Sequence, residues 1–299
     1  MTTTASADPS PAAVPPRFVR CDVGDVRPLL ELLHQEGWYD RTAPELDFVL
    51  TVSRRSCFKI IVGDDLVGLL LSTITPGRIG YLSGFLIDSK RRGTLDVMDG
   101  VLKFEQLLEK LSAVQIGYAD QRILPFYLDY GYQAHEVYSR YAVRPHAARA
   151  RRWELQPLQD FDLAEVYMLN DQAYHDTRDA LLRHFRAVPS VQTLVARTAS
   201  GVFGDWAMMR RTRIGAVVGP CVAQGPEAAA ALVSALRAEV PAEQPVLLAG
   251  QVDRTDAWLR QAGIPFERQK FVSTKVCKGD ASKLENPAPI FGLFGFGLT

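Results

Sequence analysis

The order of strands and helices along this 299-residue chain partly repeats on either side of a basic stretch framed by Pro145 and Pro157. In the first pass an extended segment begins at Phe18. Helical apolar spacing follows over 26–36, through Leu29, Leu30, Leu32 and Leu33, and Gly37 ends it. A second short helix is predicted over 45–52. CFKIIVGDDLVGLLLSTI reads as two strands around a Gly63-Asp64-Asp65 turn, and 79–87 as a third strand. Residues 94–111 carry an amphipathic helix pattern, with Val97, Val101, Phe104, Leu107, Leu108 and Leu111 on its apolar face. A strand at Ile116, a short helix around Tyr127 and a strand over HEVYSRYAV close the pass.

Beyond the joint, 163–174 and 179–185 are predicted helices. Segments 193–199 and 206–211 pair around Ser200-Gly201, and 213–222 is a further strand. An Ala-rich helix over 227–240, a strand over 245–249, a short helix over 257–262 ending at Gly263, and a strand over 266–275 complete the second pass. The fold class is therefore α/β (α+β): a mixed layout rather than a doubly wound one, built from two structural repeats with very different side chains. The expected boundaries are a disordered leader over 1–16, a first domain over 17–144, a linker over 145–157 and a second domain over 158–299. The last stretch, KLENPAPIFGLFGFGLT, is too rich in Gly and Pro for a helix and too apolar to lie free in water. It is expected to pack across a groove or the domain seam.

Composition narrows the function classes. At 47% apolar and 23% charged residues the chain is globular, and 299 residues suffice for two domains with real cores. The balance of 34 basic and 34 acidic residues gives no global pull toward nucleic acid or membrane. Cys21, Cys57, Cys221 and Cys277 form no CxxC pair, which argues against a zinc site and for reduced, partly buried thiols in a cytoplasmic setting. No apolar run approaches the ~18 residues of a membrane span. The opening MTTTASADPSPAAVPP lacks the apolar core of a signal peptide and reads as a leader. No metal site is expected.

The most chemical stretch is IGYADQRILPFYLDYGY, 116–132: an apolar strand, a short helix ending in aromatic residues, then Gly131 and Tyr132. A strand feeding a short helix that stops at a Gly-aromatic step can hold a tyrosine beside a cleft. This run resembles the closing unit of the GNAT (Gcn5-related N-acetyltransferase) superfamily, with its aromatic-Tyr-x-x-x-Gly-aromatic pattern at Phe126, Tyr127, Gly131 and Tyr132. From Phe18 onward the whole chain is similar to tandem GNAT proteins whose second half is an atypical GNAT-like domain. Gly37-Trp38 fits the acceptor-side loop, MMRRTRIGAVVGPCVA fits a strand of that second domain, and the helix ending at Gly263 fits its closing unit. The resemblance implies two tandem GNAT-like domains, each a mixed, mostly antiparallel sheet flanked by helices.

It also implies an acyltransferase that takes an acyl group from acyl-CoA as cosubstrate to a small-molecule amine acceptor. The strand through Phe85, Leu86 and Ile87 would line the donor arm and supply the oxyanion N–H. Tyr127, with an ordinary phenol pKa near ~10, would protonate the leaving thiolate. Trp38 and Asp40 would lie on the acceptor side, and Asp40, Asp120 or His34 would serve as base, with no ground for choosing among them. The phosphate turn departs from the family pattern. In LIDSKRRGTLD, Arg91 in the motif's Arg position leaves Thr94 and Asp96 where glycines belong, and Lys90 there leaves Leu95 in the last small position. Lys90, Arg91 and Arg92 nonetheless stand beside Gly93 and Thr94 at a helix start, which suits an anion. In the second half VAQGPEAA lacks the Arg and places Pro226 at the first helical position, so the first domain is the expected active one.

That degraded turn motivates a second reading, in which the donor is aminoacyl-tRNA or an acyl group on a carrier protein. Arg144, Arg149, Arg151 and Arg152 of the joint would then offer contacts to a tRNA backbone. A third reading is a non-catalytic degenerate pair that binds a ligand or partner. The acceptor, the acyl group and the oligomeric state are not written in the sequence.

Overall fold

Hydrophobic alternation and helical periodicity both materialise, and the two passes fuse into one sheet. The computed structural model describes residues 14–93, 95–146, 153–176, 178–198 and 203–294. The first pass is β1 (Arg17–Arg20), α1 (Val26–Gln35), α2 (Ala43–Val52), β2 (Cys57–Val62), β3 (Asp65–Ile74), β4 (Ile79–Ile87), α3 (Met98–Leu111), β5 (Val114–Ala119), α4 (Leu124–Asp129) and β6 (Gln133–Val143). The second is β7 (Trp153–Pro157), α5 (Leu163–Tyr174), α6 (Asp179–Arg186), β8 (Val191–Thr198), β9 (Phe203–Thr212), β10 (Gly215–Val222), α7 (Pro226–Ala238), β11 (Val246–Gln251), α8 (Val252–Gln261), β12 (Phe266–Gly279) and β13 (Ile290–Gly292).

Two local expectations change, and a third holds. The amphipathic helix begins at Met98 rather than 94, because Gly93 turns at φ +77° and the Asp96 carboxylate accepts the Met98 amide at 3.2 Å. Leu95, Asp96 and Val97 thus precede the helix, and Thr94 lies outside the described residues. The expected linker ends in a strand, β7, which pairs with β8 at the sheet edge; Pro157 is tolerated there because an edge strand need not donate on both sides. The last segment forms β13 and crosses a groove between strands, as its apolar composition requires.

The strand order is β1-β2-β3-β4-β5-β12-β6-β11-β10-β9-β8-β7, with β13 beside β10. Counted outward from the central β12–β6 pair, the order is symmetric: β5 answers to β11, β4 to β10, β3 to β9, β2 to β8 and β1 to β7. The closing strand of each pass is hydrogen-bonded into the other, β12 to β5 and β6 to β11. Each pass also contains one parallel pair that parts midway. β4 and β5 run together over Ile79↔Val114, Gly80↔Gln115 and Tyr81↔Ile116, then separate. β10 and β11 do so over Ala216↔Val246, Val217↔Leu247 and Val218↔Leu248. These are the two forks of the sheet.

On one face, Leu29, Leu32 and Leu33 of α1 and Leu46, Phe48 and Leu50 of α2 share a core with Val166 and Leu169 of α5 and Leu182 and Phe185 of α6. Burying each such leucine stabilises the fold by about 1.5–3 kcal/mol, so the two passes are held by a shared core rather than by a tether. On the other face Val101, Phe104 and Leu108 of α3 pack on Ile60 and Leu70, and α7 and α8 cover the second pass. A buried ion network also crosses the seam. Glu45 of α2 bonds Arg41 at 2.5 Å and Arg210 of β9 at 2.8 Å, all three almost fully buried. The four cysteines are free and buried; burial raises the Cys57 thiol to about 12.

Candidate active site

The first fork lies between two walls built from different helices. Leu82, just past the last paired residue of β4, packs with Tyr127 and Tyr132 under α4 and fills the space left by Gly117 of β5. Ser83, the next residue, sits at a bulge in the β3–β4 ladder, and its carbonyl accepts from Arg41 Nη2 at 2.8 Å. Arg41 comes from the loop after α1, so that loop covers the fork on the face opposite α4. Its guanidinium stands 5.5 Å from the Trp38 ring.

On the α4 side, Phe126 meets Phe85 at 6.4 Å, and Tyr127 sets its ring edge to Tyr132 at 5.1 Å. The helix is short because Gly131 takes φ +82° and the Tyr132 amide returns to the Tyr127 carbonyl at 3.0 Å. Burial, then the nearby Glu105, pushes the Tyr127 phenol well above its ordinary range, so it stays protonated throughout neutral pH. Tyr132 donates to Glu105 Oε2 at 2.9 Å, and burial raises that carboxyl despite the bond. Phe85, Leu86 and Ile87 pair with β3 on their inner edge, opposite Leu70, Leu69 and Gly68. Their other edge faces the fork. The chain therefore offers an open main-chain edge, a protonated phenol in one wall and a cation-bearing loop in the other.

Not every residue singled out from sequence converges there. Asp40 pairs with Arg140 of β6 at 2.8 Å, and Arg140 lies 5.1 Å from the Phe271 ring, so Asp40 and Trp38 do flank the loop that covers the fork. His34 instead meets the Arg41 carbonyl through Nε2 at 3.1 Å, a contact in which the ring donates and the loop is held. Asp120 accepts from the Arg122 and Ile123 amides and pairs with Arg122 at 2.9 Å. Burial alone would raise its pKa, but these bonds together hold it below the usual carboxylate range. Asp120 thus folds the turn into α4.

The phosphate turn diverges most. Arg91 turns to Asp65 at 3.3 Å, and Arg92 bonds both the Ile87 carbonyl and the Glu36 carboxylate at the end of α1. Lys90 sits in a short turn capped by Asp88. The approach to α3 presents Asp96 and its first turn Asp99 instead, two carboxylates at a helix start where a pyrophosphate would need cations. A cavity of about 780 Å³ opens beside that turn, lined by Phe18, Phe58 and Leu70 of β1–β3 and by Asp96, Asp99 and Phe104 at and within α3. Arg144 pairs with Glu267 at 3.0 Å, and Arg149, Arg151 and Arg152 lie outside the described residues.

In the second pass Trp258 and Leu259 occupy the places of Phe126 and Tyr127, with Gly263 and Ile264 following as Gly131 and Tyr132 do. No phenol stands there. The amide of Gln224, ahead of α7, is taken by the Asp205 carboxylate at 2.6 Å, and burial raises Asp205 to about 6. Sequence reasoning missed Arg41, Ser83 and Arg140, since a lone arginine in a loop and a bulged serine carry no periodic signal. Among the described residues no group of His, Cys, Asp and Glu could hold a metal ion, and no helix is long and apolar enough to cross a membrane.

Residues 166–286 match the family model described as an acetyltransferase (GNAT) domain. Among solved structures, a Pyrococcus horikoshii protein classed as an acetyltransferase aligns over 100% of both chains at 10% identity and TM-score 0.78. A tandem GNAT protein from the clavulanic acid biosynthesis pathway aligns over 88% of this chain and 98% of its own, at 16% identity and TM-score 0.61. N-myristoyltransferase from Saccharomyces cerevisiae, solved with myristoyl-CoA, aligns over 95% and 85% at 12% identity and TM-score 0.61. At these identities the likeness is one of fold. No curated protein matches.

Proposed function

Since the chain is a tandem GNAT protein by fold, we propose that it is an N-acyltransferase whose first half carries the reaction, taking an acyl group from a thioester donor to an amine of a small metabolite. The observation that carries this reading is the first fork, with its open β4 edge between Tyr127 and the Trp38–Arg41 loop. An amide-bearing pantetheine arm suits such an edge, because it can hydrogen-bond to main chain as a strand does.

The amine nitrogen attacks the thioester carbonyl; a C–N bond forms and the C–S bond breaks. Main-chain N–H groups along Phe85–Ile87 would stabilise the charge that develops on the carbonyl oxygen. Tyr127 would deliver its proton to the departing sulfur, whose conjugate acid has a pKa near ~8.5, and recover one from the acceptor amine through solvent. Asp40, held by Arg140, is the carboxylate of the covering loop and would orient the incoming ammonium before it loses its proton.

A specific observation favours a variant of this reading. Asp96 and Asp99 at the start of α3, with Arg91 and Arg92 already paired, fit the arm of acyl-CoA better than its pyrophosphate. An acyl carrier protein or an aminoacyl-tRNA brings no pyrophosphate to this turn, although each carries phosphodiesters of its own that would have to lie on other surfaces. Turnover assays with acetyl-CoA, acetyl-pantetheine, an acylated carrier protein and an aminoacyl-tRNA against a panel of amines test both readings. Activity with the first supports the CoA form, activity confined to the carrier or the tRNA supports the variant, and none with any donor leaves a ligand-binding pair.

A further inference from the structure

The two forks are equivalent in the sheet yet differ in what fills them. Past Val218↔Leu248 the gap between β10 and β11 is filled by β13, antiparallel to β10, with Cys221 opposite Gly292 and Val222 opposite Ile290. Leu293 then bridges to β11, its amide donating to the Ala249 carbonyl at 2.8 Å, and the Ala223 amide donates to the Pro289 carbonyl at 2.8 Å. One extended segment thus satisfies main-chain groups on both walls.

The local sequence is cut to this segment. A Cβ on Gly219 would lie 1.8 Å from the Leu293 carbonyl oxygen, and one on Gly292 would lie 2.5 Å from Leu248 Cδ1. Phe291 meets Trp258, the counterpart of Phe126, edge-on at 5.6 Å. The Arg210 guanidinium lies 3.8 Å over Phe294 and also donates to its carbonyl, and the Phe294 ring stands 4.9 Å from Phe185. Phe291, Leu293 and Phe294 are all buried. Withdrawing the segment would expose three large apolar side chains and strip a partner from a buried cation.

We propose that the second fork is a main-chain-binding slot whose ligand is this chain's own segment Ile290–Phe294, held permanently. Of the two forks, only the first is open to an acyl donor, which rests on the donor reading of that fork proposed above. A donor arm does not fit the second fork, because the hydrogen bonds it would make are already made.

Hydrogen–deuterium exchange on the full chain, with and without millimolar acetyl-pantetheine, tests this. In ligand-free protein the peptide over 288–294 is expected to exchange as slowly as β10 and β11, at least ~100-fold slower than loop amides. With ligand it stays slow, and new protection is confined to 82–87 and 117–127. Loop-rate exchange over 288–294, or its acceleration by ligand together with new protection over 246–251, overturns the slot. Slow exchange there with no ligand protection anywhere upholds the slot and fails the donor reading of the first fork. In Gly219→Ala the added Cβ collides with Leu293, so the same peptide should exchange more than ~10-fold faster while β3 and β4 stay slow; unchanged exchange would count against the slot.

Discussion

Tyr127 and Leu259 occupy the same place in the two closing helices: each carbonyl accepts the amide five residues on, Tyr132 and Ile264, at 3.0 Å. Gly131 and Gly263 make both returns at positive φ. Only one of the pair carries a proton that chemistry can use. Tyr127→Phe is expected to lower kcat by about 10²-fold or more with the donor KM little changed, the cost of losing a general acid. Turnover at the wild-type rate would remove Tyr127 from the reaction. Because burial holds the phenol above its ordinary range, the alkaline limb of the wild-type pH–rate profile should not fall below ~10 on its account.

At the start of α3, Asp96 and Asp99 oppose an anion. Asp96→Asn keeps the turn, since Asn also caps the Met98 amide, and removes a charge; Asp99→Asn removes the charge that Lys103 now pairs with at 2.7 Å on the exposed face of α3. Acetyl-CoA affinity should rise about two- to fivefold per substitution, the size of a charge at a helix end, while acetyl-pantetheine affinity should not move. Isothermal titration of both ligands separates these effects.

Glu45 is shared by two buried arginines from opposite halves. Glu45→Ala removes the buried carboxylate that both guanidinia share and is expected to cost about 3–5 kcal/mol of unfolding free energy, read by urea denaturation. A loss below ~1 kcal/mol would mean that the seam is wetter than its burial implies.

The carboxyl of Asp205 is raised by burial from 3.8 to about 6. Its folded form therefore holds a proton that the unfolded chain releases. The stability this contributes is full below about 4 and is lost as pH rises through about 6, a swing on the order of 2–3 kcal/mol. Asp205→Asn should gain on the wild type over that window and run parallel to it above. Unfolding curves at pH 4 and pH 7 for both proteins give the comparison, and a constant difference would contradict the assignment.

Much of this fold is local and was therefore legible. The apolar spacing of Leu29, Leu32 and Leu33 marks α1, and the Gly63-Asp64 turn marks the β2–β3 hairpin. The Phe126–Tyr132 run points to the wall of the first fork. What could not be read is non-local. That β12 inserts beside β5, and β6 beside β11, depends on pairings more than a hundred residues apart, for which no single segment carries a signal. The cations of the phosphate turn looked available because sequence does not show that Arg92 reaches Glu36 or that Arg91 reaches Asp65. Asp120 looked like a base because a free carboxylate and a turn-capping one are written with the same letter. The composition of the last stretch pointed to packing across a groove or the seam, but which groove Ile290–Leu293 fills is set by the room that Gly219 and Gly292 leave, which the sequence does not show.

The measurement that bears most directly on the central claim is isothermal titration of the full chain with acetyl-CoA and acetyl-pantetheine, at low and moderate salt. Saturable binding of an acetylated arm at one site per chain, with acetyl-CoA more salt-sensitive than acetyl-pantetheine, is the predicted result. No binding of either ligand up to millimolar concentration would contradict a donor site in the first fork.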